Sequence, residues 1–185
     1  MSSTTSTDPR TGTYSLDPSH TRIGFVARHA MVTKVRGAFT DVTGSGTFDA
    51  GNPAASSFSA TIQVASINTG NADRDNHLRT NDFFEPDTYP EITFASTAIE
   101  AAGDDTYRVT GDLTMKGVTK SIAFDLEVSG PAKDPFGNER IGLEVSVQVN
   151  RKDWNLSWNA PLETGGVLIG EKVTLEFDVS AIKSA

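Results

Sequence analysis

Along the second half of the chain, apolar and polar residues alternate with period two. Tyr107, Val109, Leu113 and Met115 share one phase, and Arg108, Thr110, Asp112 and Thr114 the other. The alternation returns in Ile122, Phe124, Leu126 and Val128, again from Ile141 to Val149, and last in Val173, Leu175, Phe177 and Val179. Successive side chains of a strand point to opposite faces, so each run predicts a strand with one apolar and one solvated face. Several such strands without long helices between them predict an antiparallel sheet curled around one interior.

The first half is less regular. Residues 14–17 predict a short strand stopped at Asp17-Pro18, and 21–30 a second strand with Ile23, Phe25 and Ala27 in phase. Residues 31–34 suggest a helical turn. Gly37, Gly44 and Gly46, within a long segment 35–49, predict bulges or bends that help a sheet close. Residues 57–67 alternate again through Phe58, Ala60, Ile62 and Val64. Over 71–84 the period changes to that of a helix, with Asn71 placed to cap it, Asp73 in its first turn and Arg79 near its end. Strand 91–100 follows, Lys116-Gly117 predicts a two-residue hairpin loop, 131–138 a loop, and 151–166 breaks the alternation before a last strand 171–182. The expected fold is all-β: a single antiparallel up-and-down barrel of about eight strands with one capping α-helix. Residues 1–12 read as a flexible leader and 13–185 as the barrel domain.

With 37% hydrophobic and 22% charged residues, the 185-residue chain is globular. Its net charge of -8 repels nucleic acid and disfavours docking on an anionic membrane surface. There are no cysteines, which removes disulfides and thiolate chemistry. The opening MSSTTSTDPRTG has neither the basic nor the apolar region of a secretory signal, and no window is long and apolar enough to span a bilayer. The expectation is a cytoplasmic protein without stable membrane insertion, and a homodimer is compatible with the sequence.

Candidate chemistry is sparse. His20, His29 and His77 fall on different elements without metal-ligand spacing, so no metal is expected. No GxSxG elbow is present, and most carboxylates occupy the solvated phase of strands. On the expected helix, Arg74, His77 and Asn81 share one face, which can meet an anionic or carbonyl head group or simply cap the barrel. Trp154 and Trp158 stand four apart, the spacing of one side of a helical turn, and can plug a barrel end or line an entrance. Small residues in the strands (Ala27, Ala60, Ala123, Gly111) favour a barrel with room for a slim ligand.

Several spaced motifs resemble the YceI-like, polyisoprenoid-binding family. Asp17, His20, Thr21, Ile23, Phe25, His29, Val35, Gly37 and Phe39 match its opening pattern. Arg74, His77, Leu78, Asp82, Phe83, Phe84, Tyr89, Pro90, Ile92 and Phe94 match a second block. Gly111, Leu113, Thr114, Gly117 and Thr119 match a hairpin, and the segment NRKDWNL resembles a late motif in which Asn155 stands where glycine is usual. The resemblance implies a lipocalin-like barrel enclosing an isoprenoid chain, such as a polyprenyl quinone or polyprenyl lipid, carried or stored by a protein that is not an enzyme and needs no cofactor. An enzyme acting on such a lipid in the same cavity, or a scaffold whose barrel is filled by its own side chains, are the alternatives. The expected contacts with the apolar chain are Phe25, Phe39, Phe58, Ile62, Phe94, Leu113, Phe124, Val145, Trp154, Trp158 and Phe177, with His29, Arg74, His77 and Asn81 at the polar end.

Overall fold

A computed structural model describes residues 8–184. Its strands are Gly12–Leu16 (β1), Arg22–His29 (β2), Thr33–Phe39 (β3), Val42–Phe48 (β4), Ser57–Gln63 (β5), Ile67–Asn68 (β6), Glu91–Ala101 (β7), Thr106–Met115 (β8), Val118–Lys133 (β9), Glu139–Asn150 (β10) and Lys172–Lys183 (β11). All pair antiparallel with neighbours in the order β1-β4-β5-β7-β8-β9-β10-β11-β2-β3-β6, and β1 also pairs with β11. Three pairs of short strands are bent halves of longer staves. β1 and β2 run side by side with β11, β4 and β3 with that first stave, and β5 and β6 with the second. Counted as staves, this is a closed up-and-down barrel of eight, the size whose interior side chains can just fill.

The bends explain where the early alternation fails. The first stave turns through a 3-10 segment, Pro18–His20, the third through Val64–Ser66, and the segment 35–49 is two strands separated at Thr40 and Asp41. The expected helical turn over 31–34 is instead a hairpin loop, with His29 paired to Thr33 and both Ala30 and Met31 in the left-handed region. The Lys116-Gly117 loop has positive φ at both residues, as a type I′ hairpin requires. β9 runs on to Lys133, so the loop expected over 131–138 contracts to a turn at its far end.

The glycines of the early strands are not bulges. The Phe25 ring covers Gly37, its partner across the ladder, where a Cβ would collide with it. The register shifts lie elsewhere, at Ser96/Ala98 in β7 and Arg140/Gly142 in β10.

The α-helix is shorter than its sequence signal, Ala72–Leu78 (α1) rather than 71–84. Asn71 caps it as expected, its side chain accepting from the Arg74 N–H at 3.0 Å. It stops because the Thr80 hydroxyl and N–H both donate to the His77 carbonyl, at 2.6 and 3.0 Å, using the acceptor a further turn would need. Phe83 then turns into the core. α1 and its following turns fill the gap between β6 and β7, at the end of the barrel that also carries the β2–β3 hairpin and residues 151–171. We call this the upper end. Among the described residues no helix is long and apolar enough to cross a membrane.

Residues 1–7 of the expected leader lie outside the described residues. From Asp8 the chain is tied down: Arg10 pairs with Asp8 at 2.8 Å and Asp105 at 2.9 Å, and its carbonyl accepts from the Tyr14 hydroxyl at 2.7 Å.

At the lower end, Arg140 donates to Asp17 at 2.7 Å, to Asp134 at 2.8 Å and to the Ser180 hydroxyl at 3.0 Å. Asp17 also accepts from Ser19 and holds the His20 ring at 2.8 Å. Arg140 keeps both carboxyls below the usual carboxylate range, Asp134 at about 2 and Asp17 lower still. The unfolded chain regains ordinary values near about 4, so it binds more protons in the intervening window and stability rises with pH there. This stabilisation is complete above about pH 4 and is lost as pH falls toward about 2. Thermal unfolding across that window is expected to show the loss, and Arg140→Met to lower Tm at neutral pH and flatten the acid dependence.

Candidate functional site

The inward residues gather into two apolar clusters. The upper one includes Ile23, Phe39, Val42, Ile67, Phe83, Met115 and Trp154, the lower one Tyr14, Ile99, Tyr107, Val109, Leu126 and Ile141. Between them lies a cavity of about 160 Å³. Its cause is visible in β4, whose inward positions are Val42, Gly44, Gly46 and Phe48. The two glycines present bare backbone, and Ala60 on β5, opposite Gly44, adds one methyl group. A Cβ on Gly46 would strike Phe58 and the Ser57 carbonyl, so that wall is held thin by sterics. The far wall is dense: Val109, Phe124, Leu126 and Val128 are buried. Phe58, Ala60, Val145, Phe177 and Val179 point inward yet are only half-buried, because the space in front of them is empty.

Of the residues expected to touch an apolar chain, Phe58, Ile62, Phe94, Leu113, Phe124, Val145 and Phe177 border this cavity. Phe94 bridges two neighbours, with ring centroids 5.5 Å from Phe58 and 5.6 Å from Phe124, and its own ring covers Gly111. Phe25 and Phe39 lie higher, 5.8 Å apart, with Phe39 edge-on to Phe84 at 5.7 Å. Of the small residues expected to make room, Ala60 borders the cavity and Ala27 and Ala123 do not. Gly44 and Gly46, read from sequence as bends, do. Their signal was present in the even spacing Val42, Gly44, Gly46, Phe48.

The polar candidates do not converge. Arg74 turns back on the loop before α1, donating to the Thr69 hydroxyl at 2.7 Å and its carbonyl at 2.6 Å. His77 bonds Asp82 at 2.9 Å and meets Trp158 and Phe83 edge-on at 4.8 and 5.1 Å. Asn81 lies beyond the end of α1, exposed, so the shared helix face does not form. His29, also exposed, ends β2 and bridges to Ile169. The two tryptophans do not share a helical turn either. Trp154 closes a 3-10 segment, Arg151–Trp154, and is buried, its indole N–H donating to the Leu113 carbonyl at 2.9 Å, whereas Trp158 follows in irregular chain. Asn155 between them has φ +59, the left-handed conformation that asparagine tolerates best after glycine.

These residues build a plug over the upper end, and sequence reasoning missed the side chain that organises it. Arg151 is buried, donating to the carbonyls of Gly170 at 2.9 Å, Trp158 at 2.9 Å, Ile169 at 3.4 Å and Leu156. Burial pushes its guanidinium below its ordinary pKa. Its position after Asn150 in the late motif was the signal available.

Electrostatically the cavity is quiet. The titratable side chain at its edge among the described residues is Tyr14, whose pKa burial raises. Among the described residues no group of three or more His, Asp or Glu is placed to hold a metal ion. What the arrangement can do is take apolar matter out of water.

Known proteins share this architecture. The YceI-like domain model matches residues 14–181. UPF0312 protein plu2095 of Photorhabdus laumondii is 44% identical over 136 residues, 74% of this chain and 70% of that protein. The crystal structure of Burkholderia cenocepacia BcnA superposes with a TM-score of 0.79 at 25% identity, covering 89% of this chain and 98% of that one. A polyisoprenoid binding domain from Saccharophagus degradans, implicated in plant cell wall breakdown, superposes with a TM-score of 0.70 at 22% identity, covering 92% and 98%.

Replacing Arg151 by Met leaves several plug carbonyls without their charged donor and is expected to cost about 3 kcal/mol or more. Arg151→Lys, which cannot reproduce the planar fork, is expected to recover little of it. Chemical denaturation of the two variants checks both statements.

Proposed function

The chain belongs to the YceI-like family, and from that premise we propose that its barrel binds a long-chain isoprenoid lipid, a polyprenyl quinone or polyprenyl lipid, for carriage or storage. The observation that carries the reading is the apolar cavity between two well-packed clusters. Protein interiors are normally close-packed, and an empty apolar space costs free energy that a guest would recover. The walls offer a guest hydrocarbon and aromatic faces, with Tyr14 as the titratable group. The fold shared with the Saccharophagus degradans polyisoprenoid binding domain is consistent with this use.

A cavity of about 160 Å³ is the size that holds one small apolar molecule. It takes the leading segment of a lipid tail. A longer tail enters by displacing the upper plug, whose α1 segment and residues 151–171 stand outside the sheet ladder. Each CH2 taken from water contributes roughly 0.8 kcal/mol, so affinity grows with tail length and needs few polar contacts.

Native mass spectrometry of the purified chain, followed by lipid extraction, tests this. Bound isoprenoid, or uptake of added polyprenyl quinone, is the expected result. No co-purifying lipid and no uptake would overturn it. Ala60→Phe, which fills the space beside Gly44, is expected to weaken uptake by about tenfold or more, the equivalent of excluding two CH2 groups, while leaving Tm unchanged or higher.

A further inference from the structure

Net charge hides a second surface. From Pro18 to Thr40 the chain carries Arg22, Arg28, Lys34 and Arg36 and no carboxylate, in a protein with 24 acidic residues. The β2–β3 hairpin brings three of these cations together: Arg28 lies directly opposite Lys34, and Arg36 stands opposite Val26. Like charges across a ladder repel one another. Among the described residues neither Arg28 nor Lys34 has a carboxylate partner, and Arg36 reaches Glu176 at 3.4 Å.

The tip these cations flank is apolar. Met31 is 62% exposed and Val32 74%, and Val167 in the adjoining loop 37%. The tip is also held in place. The Ala30 N–H donates to the Leu168 carbonyl at 2.7 Å, the Gly170 N–H to the Arg28 carbonyl at 3.0 Å, and the Met31 side chain occupies the place a Cβ on Gly166 would take. Ala30 and Met31 both adopt positive φ, a conformation that non-glycine residues rarely keep without a reason elsewhere. Of the carboxylates in the segment 151–171, Glu171, beside Gly170, pairs with Lys152 at 2.7 Å, and Asp153 and Glu163 are exposed.

Exposed apolar side chains ringed by cations fit a surface that is apolar below and anionic above. The opposite sign prevails around the barrel, where Glu127, Glu144 and Asp178 face one another across β9, β10 and β11. An anionic surface repels that side and attracts the hairpin. We propose that the β2–β3 hairpin and the loop carrying Val167 dock the protein on an anionic lipid bilayer, with Met31 and Val32 entering the headgroup boundary and Arg28 and Lys34 meeting phosphates. This builds on the lipid-binding reading: the docked end is the plugged end, so the guest would pass between bilayer and barrel without crossing water. It also reverses the expectation from net charge, because attraction is local to the charges that reach the surface.

Flotation of the full chain with vesicles of phosphatidylglycerol and phosphatidylcholine in equal parts tests the proposal. The chain is expected to float with these vesicles, to stay behind with pure phosphatidylcholine, and to dissociate in high salt. The double variant Arg28→Ser, Lys34→Ser is expected to bind roughly tenfold more weakly or worse. Met31→Ser combined with Val32→Ser is expected to lose binding, and Val32→Ser alone, at a 74% exposed position, to weaken it while uptake of polyprenyl quinone from detergent is unchanged. Ala60→Phe is expected to keep vesicle binding, so docking stands even where the cavity reading fails. Absence of flotation with the wild-type chain, equal binding to neutral vesicles, or wild-type binding by the Met31/Val32 variant overturns the proposal. Self-association abolished by Met31→Ser, without vesicle binding, overturns it in favour of a surface between copies of the chain.

Discussion

Closure of the barrel turns on a bend in its first stave. β1 supplies three residue pairs to β11 and β2 supplies five, and the 3-10 segment after Asp17 must keep both halves in line with the same strand. The Asp17 N–H donates to the Ser180 carbonyl on β11 at 2.8 Å, while its carboxylate holds Arg140 from β10 at 2.7 Å. One residue therefore links the first stave to the last two. Without that link the seam would rest on two short ladders separated by a turn.

What the interior contains follows from the stave beside the seam and those across the barrel from it. β8 and β9 put tyrosine, phenylalanine, leucine and valine inward, and β4 puts in two glycines. Eight staves leave a bore that side chains can just fill, so two missing side chains are enough to leave a space. The upper and lower clusters pack around it and meet at Phe94 and Ile122, which touch both, and the plug bears on the upper one.

The long strands were legible because period-two alternation survives wherever one face is buried and the other wet. Residues 106–133, 139–150 and 172–183 kept it nearly unbroken. It blurred at Pro18, at Thr40 and at Val64, where staves bend and the inward phase resets. The helix start was legible from Asn71, whose cap is a local interaction. Its end was not, because the Thr80 hydroxyl and the burial of Phe83 decide it, and the second depends on the whole upper cluster. For the cavity, inward apolar residues could be picked from phase, and seven of them, four phenylalanines among them, border it. Its cause could not, since a glycine in a strand reads equally as a bend, a place for a neighbouring ring, or a bare wall. Here Gly37 is the second and Gly44 the third. The polar residues between strands were conspicuous in sequence but serve the plug, as Arg74 on Thr69 and His77 against Trp158 show.

The two clusters have a consequence for how the molecule keeps its shape. A core narrowed by a gap transmits force poorly, because across it the upper and lower clusters are joined chiefly through Phe94 and Ile122. Whatever occupies the gap becomes the mortar between an upper and a lower block, and its binding free energy is added to the stability of the native state. An emptied barrel is then the softer species, with fluctuations concentrated at the thin β4 wall and the plug, and a filled one is stiffer at the same places. If a guest binds there, occupancy and rigidity become one variable, readable by anything that senses how readily the barrel yields.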